Sequence, residues 1–265
     1  MPASKRAILA DLEAAVREAG ELARQTARGD YKHWTKGHDN SPVSDADIAV
    51  DNFLRARLTA LEPGAGWLSE ETEDDPAQRA QPRVWIVDPI DGTRAFLDGL
   101  PDWTVSVALV ENGRPVLAAL YAPVTEEMFL AARGNGVTIN GKAARVSAGE
   151  GLDNASLAGP KRYLARLSAI YPAAQPRPKV HSLALRLARV AQGTLDAALA
   201  SGGSHDWDIA AADLLVHEAG GAVTDFAGNP LAYNRPHPVQ NALVAAGPAR
   251  HRTLLKLVRG QSEFA

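Results

Sequence analysis

Asp88 and Asp91 stand three residues apart at the end of an apolar run, Val84 to Val87, with Pro89 between them. Strand ends in α/β sheets are where ligand sites form. Proline stiffens a turn and cannot continue a regular ladder, so the two carboxylates can be held facing one point. Two such oxygens suit a hard divalent cation, Mg²⁺ above all. Gly92 allows close backbone approach. Thr93 is placed to cap a helix start, where free N–H groups favour an anion. Cation ligands beside an anion cradle point to phosphate chemistry; the plain alternative is a pair of turn residues.

Other acidic points strengthen the first reading. Glu70 and Glu71 follow the apolar pair Trp67-Leu68, and Asp208 begins the helical pattern Ile209-Ala210-Ala211-Ala212. A carboxylate in a helix's first turn is favoured by the dipole, and it is also aimed outward, as a metal ligand must be. The bland reading of Ser69 to Asp75 is a solvated acidic loop. Asp47 and Asp51, four apart, share a helix face on which like charges repel. They read either as a solvated face or, for Asp47, as a group reaching the cation site to orient water. Lys36, in the polar segment before them, reads as a solvated lysine or a charge balance for the site. Trp207 is expected to pack, and His205 to be a loop histidine with a substrate role as the alternative.

These residues need elements to position them. Ile8, Leu12, Ala15, Val16, Ala19, Leu22 and Ala23 recur at helical spacing, predicting a first helix over 5–27. Lys32 to Val43 reads as a loop. Ser44-x-x-Asp47 is a helix-start signature for a second helix ending near Leu61 before Pro63-Gly64. Thr104 to Val110 and Pro115 to Tyr121 flank Asn112-Gly113, the strongest short hairpin signal. Met128 to Ala132 and Val137 to Ile139 read as further strands, with a turn at Asn140-Gly141. Beyond a polar boundary near 148 the pattern alternates. Ala155 to Ala158, Leu195 to Ala200, Val223 to Phe226 and Ala242 to Ala246 read as strands. Lys161 to Ile170, Leu183 to Val190, Trp207 to Ala219 and a terminal stretch through Leu254 to Val258 read as helices. Two units are expected, 1–148 carrying most of the acidic residues and 149–265 carrying Asp208.

The chain of 265 residues has 46% hydrophobic and 22% charged residues, ordinary for a globular protein. A net charge of −3 gives no general attraction to nucleic acid or anionic membrane. No apolar run approaches the roughly 18 residues of a membrane span and no signal peptide opens the chain, so a cytoplasmic location is expected. With no cysteine, thiolate nucleophiles and Cys-ligated zinc are excluded.

Taken together, Pro42-Val43-Ser44-Asp45-Ala46-Asp47, Glu70-Glu71, Asp88-Pro89-Ile90-Asp91-Gly92-Thr93 and Trp207-Asp208 with Ala210-Ala211 resemble the inositol monophosphatase family of lithium-sensitive, Mg²⁺-dependent phosphatases. The resemblance runs from about Lys36 to Gly228. It implies an α/β protein with a layered αβαβα sandwich fold, commonly a homodimer, using two or three Mg²⁺. It implies Glu70, Asp88, the Ile90 carbonyl and Asp91 as ligands of the first metals, with Asp208 joining Asp91 at a second. Asp47 and Thr93 match the residues that orient the attacking water, and Glu70 belongs with them to the catalytic set. The Gly92 and Thr93 amides, and Asp208, face the substrate.

The resemblance implies a small phosphorylated metabolite as substrate, with no nucleic-acid polymer or membrane as partner. Members acting on inositol usually carry an acidic residue seven positions before the last metal-binding aspartate; here it is Ser201. Gly159-Pro160-Lys161-Arg162 is basic and reads either as an ordinary basic helix start or as a group that meets a second phosphate. The resemblance therefore leans to 3′-phosphoadenosine 5′-phosphate, the bisphosphate nucleotidase branch, with inositol 1-phosphate and histidinol phosphate as alternatives. An aspartyl-phosphate mechanism of the Asp-x-Asp-x-Thr type fits less well, since the spacing is one residue too long. A non-catalytic metal-binding protein would not need all of Asp47, Glu70, Asp88, Asp91, Thr93 and Asp208.

Overall fold

The fold is that of a computed structural model, which describes residues 3–29, 32–36 and 41–259. Two helices enclose a short hairpin at the start: α1 (Ala3–Thr26), β1 (His33–Lys36), β2 (Ser41–Ser44) and α2 (Asp45–Leu61). Then come β3 (Gly66–Ser69), α3 (Pro76–Arg79), β4 (Arg83–Asp91), α4 (Thr93–Leu97), β5 (Thr104–Glu111), β6 (Arg114–Ala122), β7 (Glu127–Ala132), β8 (Val137–Ile139) and β9 (Lys142–Ala143). The remainder is β10 (Ser156–Ala158), α5 (Lys161–Ile170), β11 (Gln175–Pro176), α6 (Leu183–Gln192), β12 (Ala197–Ala200), β13 (Ser204–His205), α7 (Asp206–Glu218), β14 (Ala222–Asp225), β15 (Val239–Gln240), β16 (Leu243–Ala246) and α8 (Pro248–Val258). The long elements fall where the periodicity places them. The segment read as a loop from Lys32 is different: β1 and β2 pair antiparallel, Trp34 opposite Val43. Its polar side chains and Pro42 hid the strand signal.

Strands β3 to β9 form a seven-stranded sheet in chain order, parallel only between β3 and β4. A five-stranded sheet has the order β11-β10-β12-β16-β14. Side chains alternate across a strand, and the cores follow that period. Along β4, Trp85 and Val87 join the core with Leu12, Val16, Leu54 and Leu58 of α1 and α2. Val84 and Ile86 join the opposite core with Leu187, Val190, Leu214 and Leu215 of α6 and α7. That middle core also takes Ala198 and Ala245 from the second sheet, while Leu199 and Val244 face a third core with Leu164 of α5 and Leu254 of α8. The order is helices, sheet, helices, sheet, helices, as the resemblance implies. Among the described residues no helix is long and apolar enough to cross a membrane.

Helix α7 is packed on both sides, so its polar groups must be satisfied internally. Buried Asp213 accepts a hydrogen bond from the Tyr233 hydroxyl at 2.8 Å and lies 3.0 Å from His217 Nε2. The hydrogen bond to Asp213 raises the His217 pKa, so its contribution is complete below about pH 6.5 and is lost as pH rises through the folded value. His217 is 45% exposed, so the pair is worth roughly 0.5 kcal/mol. Urea denaturation of the native protein and His217→Ala is expected to show a stability gap that is larger at pH 6 than at pH 9. A gap that widens with pH contradicts the pairing.

Candidate active site

Residues three apart on a regular strand face opposite sides, yet the Asp88 and Asp91 carboxylates converge. The β4–β5 ladder explains this. Asp88 pairs with Ser106 and Asp91 with Thr104, so β4 spends one residue more than β5 across the interval. This is a β-bulge, and Pro89, with no N–H to donate, lies inside it. Asp91 then caps a helix that is distant in sequence. Its Oδ2 accepts from Ser182 Oγ at 2.5 Å and the Ala184 amide at 2.6 Å, and its Oδ1 from the Leu183 amide at 3.2 Å, all at the start of α6. Asp208, in the first turn of α7, accepts from the His205 amide at 2.7 Å. One oxygen from each of Asp88, Asp91 and Asp208 lies within 4.8 Å of the others.

This cluster floors a pocket of about 240 Å³, also lined by Glu70, Gly92, Thr93, Pro42, Arg94, Lys179 and His181. Asp47 stands beside it. Its Oδ2 accepts from the Ser44 amide at 2.8 Å and from Ser44 Oγ at 2.6 Å. Its Oδ1 is 3.4 Å from Thr93 Oγ1, which also donates to the Ile90 carbonyl at 3.0 Å. Asp47 and Asp51 are both buried, so the solvated-face reading is corrected. Asp51 accepts from Ser69 Oγ at 2.5 Å and Thr72 Oγ1 at 2.7 Å, bracketing the backbone that carries Glu70. Gly92, not Thr93, is the N-cap of α4; Thr93 is its first residue.

The electrostatics are those of a site short of positive charge. Burial raises the Asp88 pKa well above the ordinary carboxylate range, with further contributions from Glu70, Asp91 and Asp208. Burial pushes Asp91 up to about 6 despite its three hydrogen bonds, and burial followed by Asp91 and Glu70 raises Asp208. Both Asp88 carboxylate oxygens are buried without a hydrogen-bond partner among the described residues. Buried polar atoms are normally paired, and an all-oxygen donor set fits a hard cation.

Three expected site residues lie elsewhere. Lys161 and Arg162 are exposed on α5, in the outermost layer, and Arg162 folds over the Tyr163 ring at 4.8 Å. Ser201 is exposed in the turn after β12. None of the three lines the pocket. His205 stacks on Trp207 at 4.5 Å and does not line it, while Trp207 packs against the middle core. The Lys36 side chain lies outside the described residues. Sequence reasoning passed over Ser182, Asp102, His181, Arg94 and Lys179. Only Ser182, an N-cap serine ahead of an amphipathic run, carried a signal.

Residues 5–263 match the inositol monophosphatase family. The chain is 34% identical over 226 residues to an inositol-1-monophosphatase of Mesorhizobium japonicum, covering 82% of each protein. It is 30% identical over 255 residues to a 3′(2′),5′-bisphosphate nucleotidase CysQ of Aggregatibacter actinomycetemcomitans, covering 89% of this chain and 90% of that one. The extragenic suppressor protein suhB of Bartonella henselae superposes with a TM-score of 0.85 at 30% identity, over 96% of this chain and 99% of that one. The chain belongs to the inositol monophosphatase family. It is a metal-dependent phosphatase.

Asp88→Asn removes the unpartnered charge. Without metal it is expected to raise the melting temperature by a few °C, about 1 kcal/mol, and to abolish the further stabilisation that Mg²⁺ gives the native protein. Thermal denaturation in chelator and in Mg²⁺ checks both. A variant that is destabilised without metal, or still stabilised by Mg²⁺, contradicts the assignment.

Proposed function

We propose that the protein hydrolyses the phosphomonoester of a small metabolite with Mg²⁺, two or three ions per site, held by Glu70, Asp88, Asp91, Asp208 and the Ile90 carbonyl. The observation that carries this is the convergence of three buried acidic oxygens around Asp88, whose own oxygens have no protein partner among the described residues. Such cations, when bound, activate a water and neutralise charge on the attacking and leaving oxygens. The chain's own groups do the rest. Asp47, fixed by Ser44, and Thr93, its neighbour at 3.4 Å, orient the water. The Gly92 and Thr93 amides take phosphate oxygens, and Asp208 faces the substrate. Gly92 is required by its backbone, at φ 93° and with an added Cβ 3.1 Å from the Ser182 nitrogen. A covalent aspartyl intermediate is not part of this scheme.

For the substrate we favour a bisphosphate, 3′-phosphoadenosine 5′-phosphate being the probe. The support shifts from Lys161 and Arg162 to Arg94 and Lys179, which line the pocket and whose side chains have no hydrogen-bond or ion-pair partner among the described residues. Free cations above an acidic floor suit a second anionic group. Ser201, in place of an acidic residue, is consistent with the same choice. Inositol 1-phosphate is the second reading, favoured by the Mesorhizobium relative at 34% identity; histidinol phosphate completes the comparison. Residues 1–148 and 149–265 are read as subdomains sharing the site. Lithium sensitivity, a homodimer, a cytoplasmic location and no nucleic-acid polymer or membrane as partner complete the proposal.

The test is kcat/KM on the three esters with Mg²⁺, with and without Li⁺. Asp91→Asn is expected to lose about 10³-fold or more with its fold intact; near-normal turnover would sink the metal reading. Arg94→Ala with Lys179→Ala is expected to lower the ratio of kcat/KM for the bisphosphate over inositol 1-phosphate by about 10- to 100-fold. A native preference for inositol 1-phosphate selects the second reading.

A further inference from the structure

We propose that His181 is a catalytic general acid that protonates the leaving-group oxygen, with Asp102 holding it in place. The inference rests on the phosphomonoesterase reading. Asp102 Oδ2 makes two contacts with one residue: it accepts from the His181 amide at 2.6 Å and lies 2.7 Å from the His181 Nδ1. An ionised carboxylate is an acceptor only. Nδ1 therefore carries its proton in either charge state of the ring, and Nε2 is the nitrogen left for other work. The ring is half-buried and lines the pocket floored by Asp88, Asp91 and Asp208.

The mounting ties this imidazole to the metal carboxylates. The Asp102 carbonyl accepts from the Ser182 amide at 3.1 Å. Ser182, buried and next in the chain to His181, donates from Oγ to Asp91 at 2.5 Å and lies 3.1 Å from Thr104 Oγ1. The Gly92 backbone closes against the same two residues, since a Cβ there would lie 3.1 Å from the Ser182 nitrogen and 3.2 Å from the Asp102 carbonyl oxygen. An imidazole oriented by a carboxylate is a recurring acid–base device. Histidine is the one residue type lining this pocket that ordinarily exchanges protons near neutral pH.

The step balances. As the bond from phosphorus to the alcohol oxygen breaks, Nε2–H gives its proton to that oxygen, yielding the alcohol and a neutral ring. The attacking water loses one proton as its oxygen bonds to phosphorus, and solvent returns one to Nε2. Water is the only co-reactant.

An aryl ester with a good leaving group needs no such proton, whereas an alkyl ester does. The native protein, His181→Gln and Asp102→Asn are compared on p-nitrophenyl phosphate and glycerol 2-phosphate with Mg²⁺. In His181→Gln the ratio of kcat on the aryl ester to kcat on the alkyl ester is expected to rise by about 10²-fold, and in Asp102→Asn by a part of that. Without metal, ¹⁵N NMR of the native protein is expected to show a proton on His181 Nδ1. An unchanged ratio in His181→Gln, whether both esters slow together or neither does, overturns the proposal, as does an Nδ1 without its proton. A native protein inactive on both esters overturns the phosphomonoesterase reading instead.

Discussion

Three carboxylates are forced together where burial opposes their charge, and the rest of the structure is arranged to hold them there. Each answers the same problem differently. Asp91 borrows the N-terminal amides of α6 and the Ser182 hydroxyl. Asp208 receives an amide from its own capping turn. Asp88 has no donor among the described residues and so depends most on a cation. A buried charge without a partner opposes folding, so the surrounding layers must supply the stability that the site withholds. They do so through three apolar cores whose members alternate residue by residue along the strands.

The sandwich order also explains why the site lies where it does. Asp88 continues the β4 parity of Val84 and Ile86, which face the middle layer. Helices α6 and α7 fill that layer, and both begin at the cluster. Their N-terminal ends bring free amides and a favourable dipole to the acidic floor. One bulge then turns Asp91 into the same space. A regular strand would have sent it to the face covered by α1 and α2, and the constellation would be lost.

Much of this was legible in the sequence because it is local. The Asp88 to Thr93 run, the Ser44-x-x-Asp47 signature and the Asn-Gly turns each encode their geometry within a few residues. The structure puts Asn112 at φ 50° and Gly113 at φ 74°, as a tight hairpin turn needs. The apolar runs marked the strands, but a run such as Val84 to Val87, apolar at every position, does not say which face each residue takes. What was not legible is contact between distant segments. Asp102 and His181 are 79 residues apart, and nothing in either neighbourhood points to the other. Lys161 and Arg162 looked suitable by composition, but the amphipathic face of α5 packs into the outer core and turns them to solvent. The β1–β2 hairpin was missed because its strands are short and polar. The bulge was half-legible, since Pro89 marks an interrupted ladder without saying how many residues the partner strand spends.

Helix α2 is where local and distant information meet. Asp47 and Asp51 sit one turn apart, a spacing that reads as repulsion on an isolated helix. In the fold each carboxylate is spoken for by a different part of the site. Asp47 is held by Ser44 and faces Thr93, at the water-orienting end. Asp51 accepts from Ser69 and Thr72, on either side of Glu70 and Glu71. Because the helix is rigid, the Glu70 segment and the Thr93 turn are set in register through one body, although β4 separates them in the chain. The pattern that argued for a solvated face is thus a bracket joining two halves of one site, and the hydroxyls it holds are what make two buried carboxylates on one helix face tolerable.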